Sequence, residues 1–366
     1  MTHASARLLV AALLAATACQ SSADGSAQGE ALPPEAAAAV DSATIAHHIW
    51  VLAHDSLMGR APGSAGEEKT VAYLEGEFKA LGLKPGNPDG SYIQKVPLVG
   101  ITVTNAPTLT FARVGVSATL RWREDFVAWT KHVAPAAALD KSELVFVGYG
   151  TEAPEFNWDD FKGADVAGKT LVMLVNDPPL ADTAQFGGAR MTYYGRWTYK
   201  YEQGMRHKAA GVLLVHETDR AGYPFSVVQG RASEQFDLVT PDKNMGRSSV
   251  EGWITLDQAK ALFTMAGKDF AAHRSDAASR EFRPVPLGVT ASVKLQNRLR
   301  TVDSRNVIAN FEGSDAALRD EYVIYTHTGI ISASARKSTA TPSTTAPSTT
   351  RAAPRDCSPW QKRLPR

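Results

Sequence analysis

Cysteine is nearly absent. Two residues in 366, Cys19 and Cys357, cannot build a disulfide framework. An excess of either charge is missing as well: 39 Lys and Arg stand against 38 Asp and Glu, leaving a net charge of +1. No basic field argues for nucleic acid as a partner, and there is no acidic bias. No apolar run approaches the ~20 residues of a membrane-spanning helix. Collagen-like, multispan membrane and wholly disordered chains are excluded. What is present is ordinary for a globular protein, with 44% hydrophobic and 21% charged residues. The length leaves room for about two domains of roughly 100–200 residues.

The two ends differ from the body. Arg7, the apolar run L-L-V-A-A-L-L-A-A-T-A and the small residues before Cys19 form a secretory signal over 1–18. Ala16, Thr17 and Ala18 resemble a bacterial lipobox, which makes Cys19 the expected acylation site; the alternative is a plain signal peptide with an incidental cysteine. Residues 19–40, mostly Ser, Ala, Gly, Glu and Pro, are expected to be a flexible tether. The expected location is the bacterial cell envelope, periplasmic side or surface, with membrane contact only through the lipid anchor; without acylation the chain is secreted. Near the other end, E-Y-V-I-Y-T (321–326) has the apolar, β-branched and aromatic character of a buried strand. Residues 332–355 are then almost only Ser, Thr, Ala, Pro and Arg, a composition that cannot bury a core, so a disordered tail is expected over 327–366.

The body alternates helices and strands. I-A-H-H-I-W-V-L-A and E-E-K-T-V-A-Y-L-E-G-E-F-K-A-L-G-L predict two helices, the second closed by Gly82, with the Gly/Pro loop M-G-R-A-P-G-S-A-G between them. His47, His48 and His54 are poor metal ligands, because adjacent histidines on a helix face different ways and no carboxylate completes a recognisable spacing. Strand patterns follow over 91–115. Between Leu139 and Glu217, E-L-V-F-V-G-Y-G, A-G-K-T-L-V-M-L-V-N-D-P-P and Y-K-Y-E-Q-G-M-R-H-K-A-A-G-V-L-L-V-H predict strand, strand and helix-then-strand, a small α/β unit. A further helix is predicted over 254–272. V-T-A-S-V-K-L, S-R-N-V-I-A-N-F-E-G and E-Y-V-I-Y-T are then expected as successive strands with turns between.

This order resembles a known family. H-I-W-V-L-A-H-D-S-L-M-G-R-A-P-G-S-A-G-E-E and L-G-L-K-P-G-N-P-D-G-S-Y-I-Q-K-V-P-L are similar to the N-terminal part of bacterial di-zinc aminopeptidases, metallopeptidase family 28. V-F-V-G-Y-G through A-A-G-V-L-L-V-H, with M-T-Y-Y-G-R-W-T-Y-K-Y-E inside it, resembles the protease-associated domain inserted in many members. S-R-N-V-I-A-N-F-E-G-S resembles the strand where the catalytic domain resumes. The resemblance covers roughly Ala46 to Thr326. It implies an incomplete zinc-exopeptidase-type α/β domain over 41–125 and 286–326, carrying an α/β insert over 126–285. It also implies two zinc ions and peptide substrates for the intact protein, with ligands on A-H-W-D-H-L-G just after E-Y-V-I-Y-T and on A-L-D-N-A-S-G some twenty residues later. This chain shows T-H-T-G-I-I-S instead, so no catalytic residue, no metal ligand and no cofactor are expected in it.

The genetic code connects the two. After a one-base slip at Thr326, each intended codon ends with the first two bases of the next residue's codon. His327, Thr328, Gly329, Ile330, Ile331, Ser332 and Ala333 then permit A-H-W-D-H-L-G, and residues 343–353 permit I-Y-N-G-A-L-D-N-A-S-G. His327 is therefore not the family's ligand, since its codon lies where the preceding Ala belongs, and Cys357 falls in the out-of-frame stretch. The expectation is the N-terminal portion of an exported zinc aminopeptidase, inactive as translated. Other readings are a genuine linker or glycosylated stalk at the C-terminus, a non-catalytic surface lipoprotein using the protease-associated unit as an interaction module, and, more remotely, a solute-binding lipoprotein. The sequence leaves oligomeric state open.

Overall fold

The computed structural model describes residues 41–180, 185–188, 190–231 and 234–329. The expected signal and tether with Cys19, and residues 330–366 of the expected tail with Cys357, lie outside them. Residues 41–54 and 55–329 belong to separate compact units.

In the first unit, helix α1 (Ser42–Ala53) contains the predicted run I-A-H-H-I-W-V-L-A and begins three residues before it. The Asp41 carboxylate caps it, accepting from the Ala43 and Thr44 amides at 2.7 and 2.8 Å.

The second unit opens on a tight loop and helix α2 (Ala65–Ala80). Ser64 caps its start, accepting from the Glu67 amide at 3.3 Å. At its end Gly82 turns left-handed (φ +71°). The Leu83 and Gly82 amides then satisfy the Phe78 and Lys79 carbonyls at 3.1 and 3.0 Å. In the loop, Met58, Gly59 and Arg60 are all left-handed, two of them against side-chain preference. What holds that loop is Glu67, fully buried, whose carboxylate accepts from the Gly63 amide, from the Ser304 hydroxyl at 2.7 Å and from the Arg305 amide at 3.0 Å.

Two glycines of α2 carry opposite expectations. A Cβ on Gly66 would stand 1.9 Å from the Leu57 carbonyl oxygen, whereas one on the exposed Gly76 meets nothing within 4 Å. Gly66→Ala is expected to destabilise by about 3 kcal/mol or more through backbone overlap. Gly76→Ala is expected to stabilise by about 0.5–1 kcal/mol through helix propensity. Urea unfolding of the two variants checks both signs.

Ten strands then build one mixed sheet. They are β1 (Ile93–Val103), β2 (Leu109–Arg113), β3 (Val116–Leu120), β4 (Phe126–Trp129), β5 (Ala136–Phe146), β6 (Thr170–Leu174), β7 (Gly211–His216), β8 (Gln235–Leu238), β9 (Val250–Thr255) and β10 (Val285–Val307). The order is β8-β1-β10-β5-β6-β7-β9-β4, with β2 and β3 off this path. Strands β5, β6, β7 and β9 run parallel; every other pairing is antiparallel. The links between the parallel strands carry helices α3 (Trp197–Arg206), α4 (Thr218–Ala221) and α5 (Phe225–Arg231).

Both faces of the parallel part are covered, which is why its strands are continuous apolar runs. Val172 and Leu174 of β6 and Leu213 and Val215 of β7 pack with Leu262 and Phe263 of α6 (Leu256–Met265) and Phe270 of α7 (Phe270–Asp276). Their alternates Leu171, Met173, Val212 and Leu214 pack with Tyr201 of α3 and Val228 of α5. The chain is thus an α/β protein with a central mixed sheet.

Three local expectations are corrected. The segment 254–272 is not one helix: β9 runs to Thr255, and Gly267 (φ +69°) separates α6 from α7. Asp269 caps the second helix, accepting from the Ala271 amide at 2.8 Å. The strands expected near 289–295 and 304–313 largely merge. The 23-residue β10 pairs with β5 through Gln296 and with β1 from Asn297 onward, so no turn separates them. Finally, Glu321–Thr326 joins no sheet. Tyr322, Val323, Ile324 and Tyr325 are exposed, because no strand among the described residues lies alongside to complete their backbone bonds.

Candidate functional site

In an open sheet with parallel strands, ligands gather where the strands' carboxyl ends meet the following loops. Here those loops are 147–151 after β5, 175–177 after β6 and Glu217 after β7. Helix α3 enters this edge and brings Lys200 one turn in, with no solvent contact. Its ammonium donates to the Tyr149 carbonyl at 2.5 Å and to the Thr151 hydroxyl at 3.4 Å. It also lies 5.9 and 5.8 Å from the Tyr149 and Tyr199 ring centres. The countercharges are Asp160 and, more weakly, Asp177; Asp160 is buried and accepts from the Thr151 amide and the Trp158 indole, each at 2.9 Å. Burial drives the Asp160 pKa up and the Lys200 pKa down; the attraction between the two opposes both movements.

Around this pair seven side chains of the segment M-T-Y-Y-G-R-W-T-Y-K-Y-E make hydrogen bonds. Thr192 donates from its amide and hydroxyl to Asp177 at 2.6 and 2.7 Å. The Tyr194 hydroxyl reaches Glu155 at 2.6 Å, and the Tyr193 hydroxyl reaches Glu202. Tyr199 exchanges hydrogen bonds with the Glu152 backbone at 3.1 Å, and burial pushes its phenol up to about 12. The Tyr201 hydroxyl donates to the Gly252 carbonyl at 3.1 Å. At its centre Lys200 and Asp160 are buried, while Glu155 and Tyr193 are exposed at its rim. The cluster fastens the loops at 149–152, 155 and 177 to α3 and the segment before it, and its central charges are not open to a substrate.

Glu251 on β9 is a further buried carboxylate, within reach of the Lys131, Arg247 and Asp237 charges. Glu251 accepts from the Trp129 indole at 3.1 Å, and burial pushes its pKa up to about 7 from an ordinary 4.5. The native state therefore binds this proton more tightly than the unfolded chain. Its stability contribution is complete below pH 4.5 and is lost as pH rises to about 7. That gap corresponds to roughly 3 kcal/mol between pH 4.5 and 8. Glu251→Gln is expected to flatten this part of the stability–pH profile, as urea midpoints across pH 4.5–8 will read.

The described residues do not fit a metal pair. A zinc site needs three or four His, Cys, Asp or Glu donors converging, and among the described residues no group of three such side chains is placed to hold an ion. His47 and His54 are exposed on or beside α1, the former 5.9 Å ring to ring from His48. His327 is exposed, its Nδ1 3.2 Å from the Thr328 carbonyl. Among the described residues no helix is long and apolar enough to cross a membrane.

Sequence reasoning missed Lys200, Asp160, Glu251 and Glu67 as buried charges. The available signal was a single charge inside an otherwise apolar or aromatic string, W-T-Y-K-Y for Lys200 and V-E-G-W-I for Glu251.

No known protein family and no curated protein matches the chain. Among solved structures, a zinc aminopeptidase from Bacillus subtilis aligns with TM-score 0.25 and 14% identity, over 70% of this chain and 45% of that one. A medium-resolution structure of the same enzyme gives 0.24 and 14%, over 70% and 46%. The chain thus spans less than half the length of the structures it aligns with.

Proposed function

We propose that this chain is the N-terminal portion of an exported zinc-dependent aminopeptidase, read out of frame after Thr326. In its intact form the protein would remove N-terminal residues from peptides with two zinc ions. Its peptidase domain would begin over 41–125, receive the protease-associated insert over 126–285 and resume over 286–326. Cys19 would tether it to the cell envelope.

One observation carries the reading. The codons of residues 327–333 and 343–353, shifted by one base, permit both metal-binding motifs in order and at the family's separation. Each position admits only about four residue types, so two complete motifs are a demanding coincidence. The state of Glu321–Thr326 supports it: a run composed as a core strand ends exposed and unpaired immediately before the slip. The donor set of the described residues does not fit zinc, so no catalytic step is assigned to this chain. The purified full chain, incubated with zinc and desalted, is expected to retain less than stoichiometric metal and to release no product from amino-acid p-nitroanilides. Stoichiometric zinc or measurable turnover overturns the proposal.

A further inference from the structure

The segment Asp320–His327, D-E-Y-V-I-Y-T-H, contains no proline or glycine. At its centre Tyr322, Val323, Ile324 and Tyr325 are 73, 82, 78 and 92% exposed. Four consecutive large apolar residues, strand-forming and in water, are a template for pairing with another strand.

The sequence specifies which strand. Laid antiparallel against a second copy of itself, with residue numbers summing to 647, the segment sets Tyr322 opposite Tyr325 and Val323 opposite Ile324. Glu321 then faces Thr326, and Asp320 faces His327. Aromatic and β-branched cross-strand pairs fill the centre, an acid meets an imidazole at each end, and no like charges are opposed. The alternative parallel register stacks Asp320 on Asp320 and Glu321 on Glu321, four carboxylates together. Charge thus selects the antiparallel, two-fold arrangement, in which the same patch serves both partners. We infer that this chain self-associates through Asp320–His327, forming an antiparallel intermolecular strand pair with a second copy as its closed unit. The inference rests on the residues before and at the slip and holds whatever the peptidase reading becomes.

Sedimentation velocity on the full chain over a hundredfold concentration range tests it. The wild-type chain is expected to pass from monomer to dimer. Val323→Lys/Ile324→Lys sets lysine opposite lysine, and Val323→Glu/Ile324→Glu sets glutamate opposite glutamate; each variant alone is expected to stay monomeric with an unchanged urea midpoint, since both positions are exposed. Mixed one to one, the two variants pair lysine with glutamate at both central positions and are expected to recover the dimer. A wild-type monomer at every concentration, as when the chain's own residues 330–366 cover the strand, overturns the inference. So do variants that dimerise like the wild type, and a mixture that stays monomeric overturns the proposed register.

Discussion

Lys200→Met is expected to lower the stability of the folded chain by about 3–5 kcal/mol, the cost of leaving a buried charge without its partner. Lys200 and Asp160 are both buried, and the amide and indole donors on Asp160 hold its carboxylate but carry no positive charge. With the ammonium gone, only the Thr151 amide, the Trp158 indole and the charge of Lys162 are left to oppose the desolvation that already raises the Asp160 pKa. The deficit then has a signed pH dependence. A raised folded-state pKa gives a contribution that is present in acid and lost as pH rises, so the variant should be closer to wild type at pH 5 than at pH 8. The double variant Lys200→Met/Asp160→Asn is expected to cost less than the sum of the singles, the difference being the coupling between the charges. Equal deficits at both pH values, or additive costs, would show that the two groups do not act as a pair.

Glu67→Ala is the second large effect. Its carboxylate takes three hydrogen bonds with no solvent contact, from the Gly63 amide, the Ser304 hydroxyl and the Arg305 amide. Removing it strands three donors at about 1–3 kcal/mol each, some recovered by local rearrangement, for an expected loss of about 3–5 kcal/mol. Ser304→Ala removes one of the three and is expected to cost about 1 kcal/mol. Urea unfolding followed by tryptophan fluorescence checks the ratio. If Glu67→Ala costs no more than Ser304→Ala, the carboxylate does not hold the loop against β10.

Which parts of the fold were legible follows from what a pattern encodes. Thr170–Leu174 and Gly211–His216 are apolar on both faces, and the sheet covers both, so composition alone marks them as buried strands. Ser64 and Gly82 state the ends of α2 through local chemistry. The middle of β10 was hidden because Q-N-R-L-R-T-V-D carries polar residues at turn-like density; those residues point to solvent from a strand whose backbone is held on β1. Partnerships were not legible. Glu67 meets Ser304 across 237 residues and Lys200 meets Tyr149 across 51, distances that only the sheet topology closes. The string around Lys200 was recognised without its reason, which is that Thr192, Tyr194, Tyr199 and Lys200 each fasten a loop. Glu321–Thr326 shows the converse: strand composition without a partner gives no strand.

The central claim is that the reading frame, and not the protein's design, removes the metal site after Thr326. Sequencing the gene through the codons for Tyr325 to Gly329, and onward for the length of a catalytic domain, tests it most directly. The account predicts one base more than this reading contains, followed in the restored frame by A-H-W-D-H-L-G, then A-L-D-N-A-S-G and the remaining ligands. A gene that keeps the present frame and holds none of those motifs in any frame would contradict it.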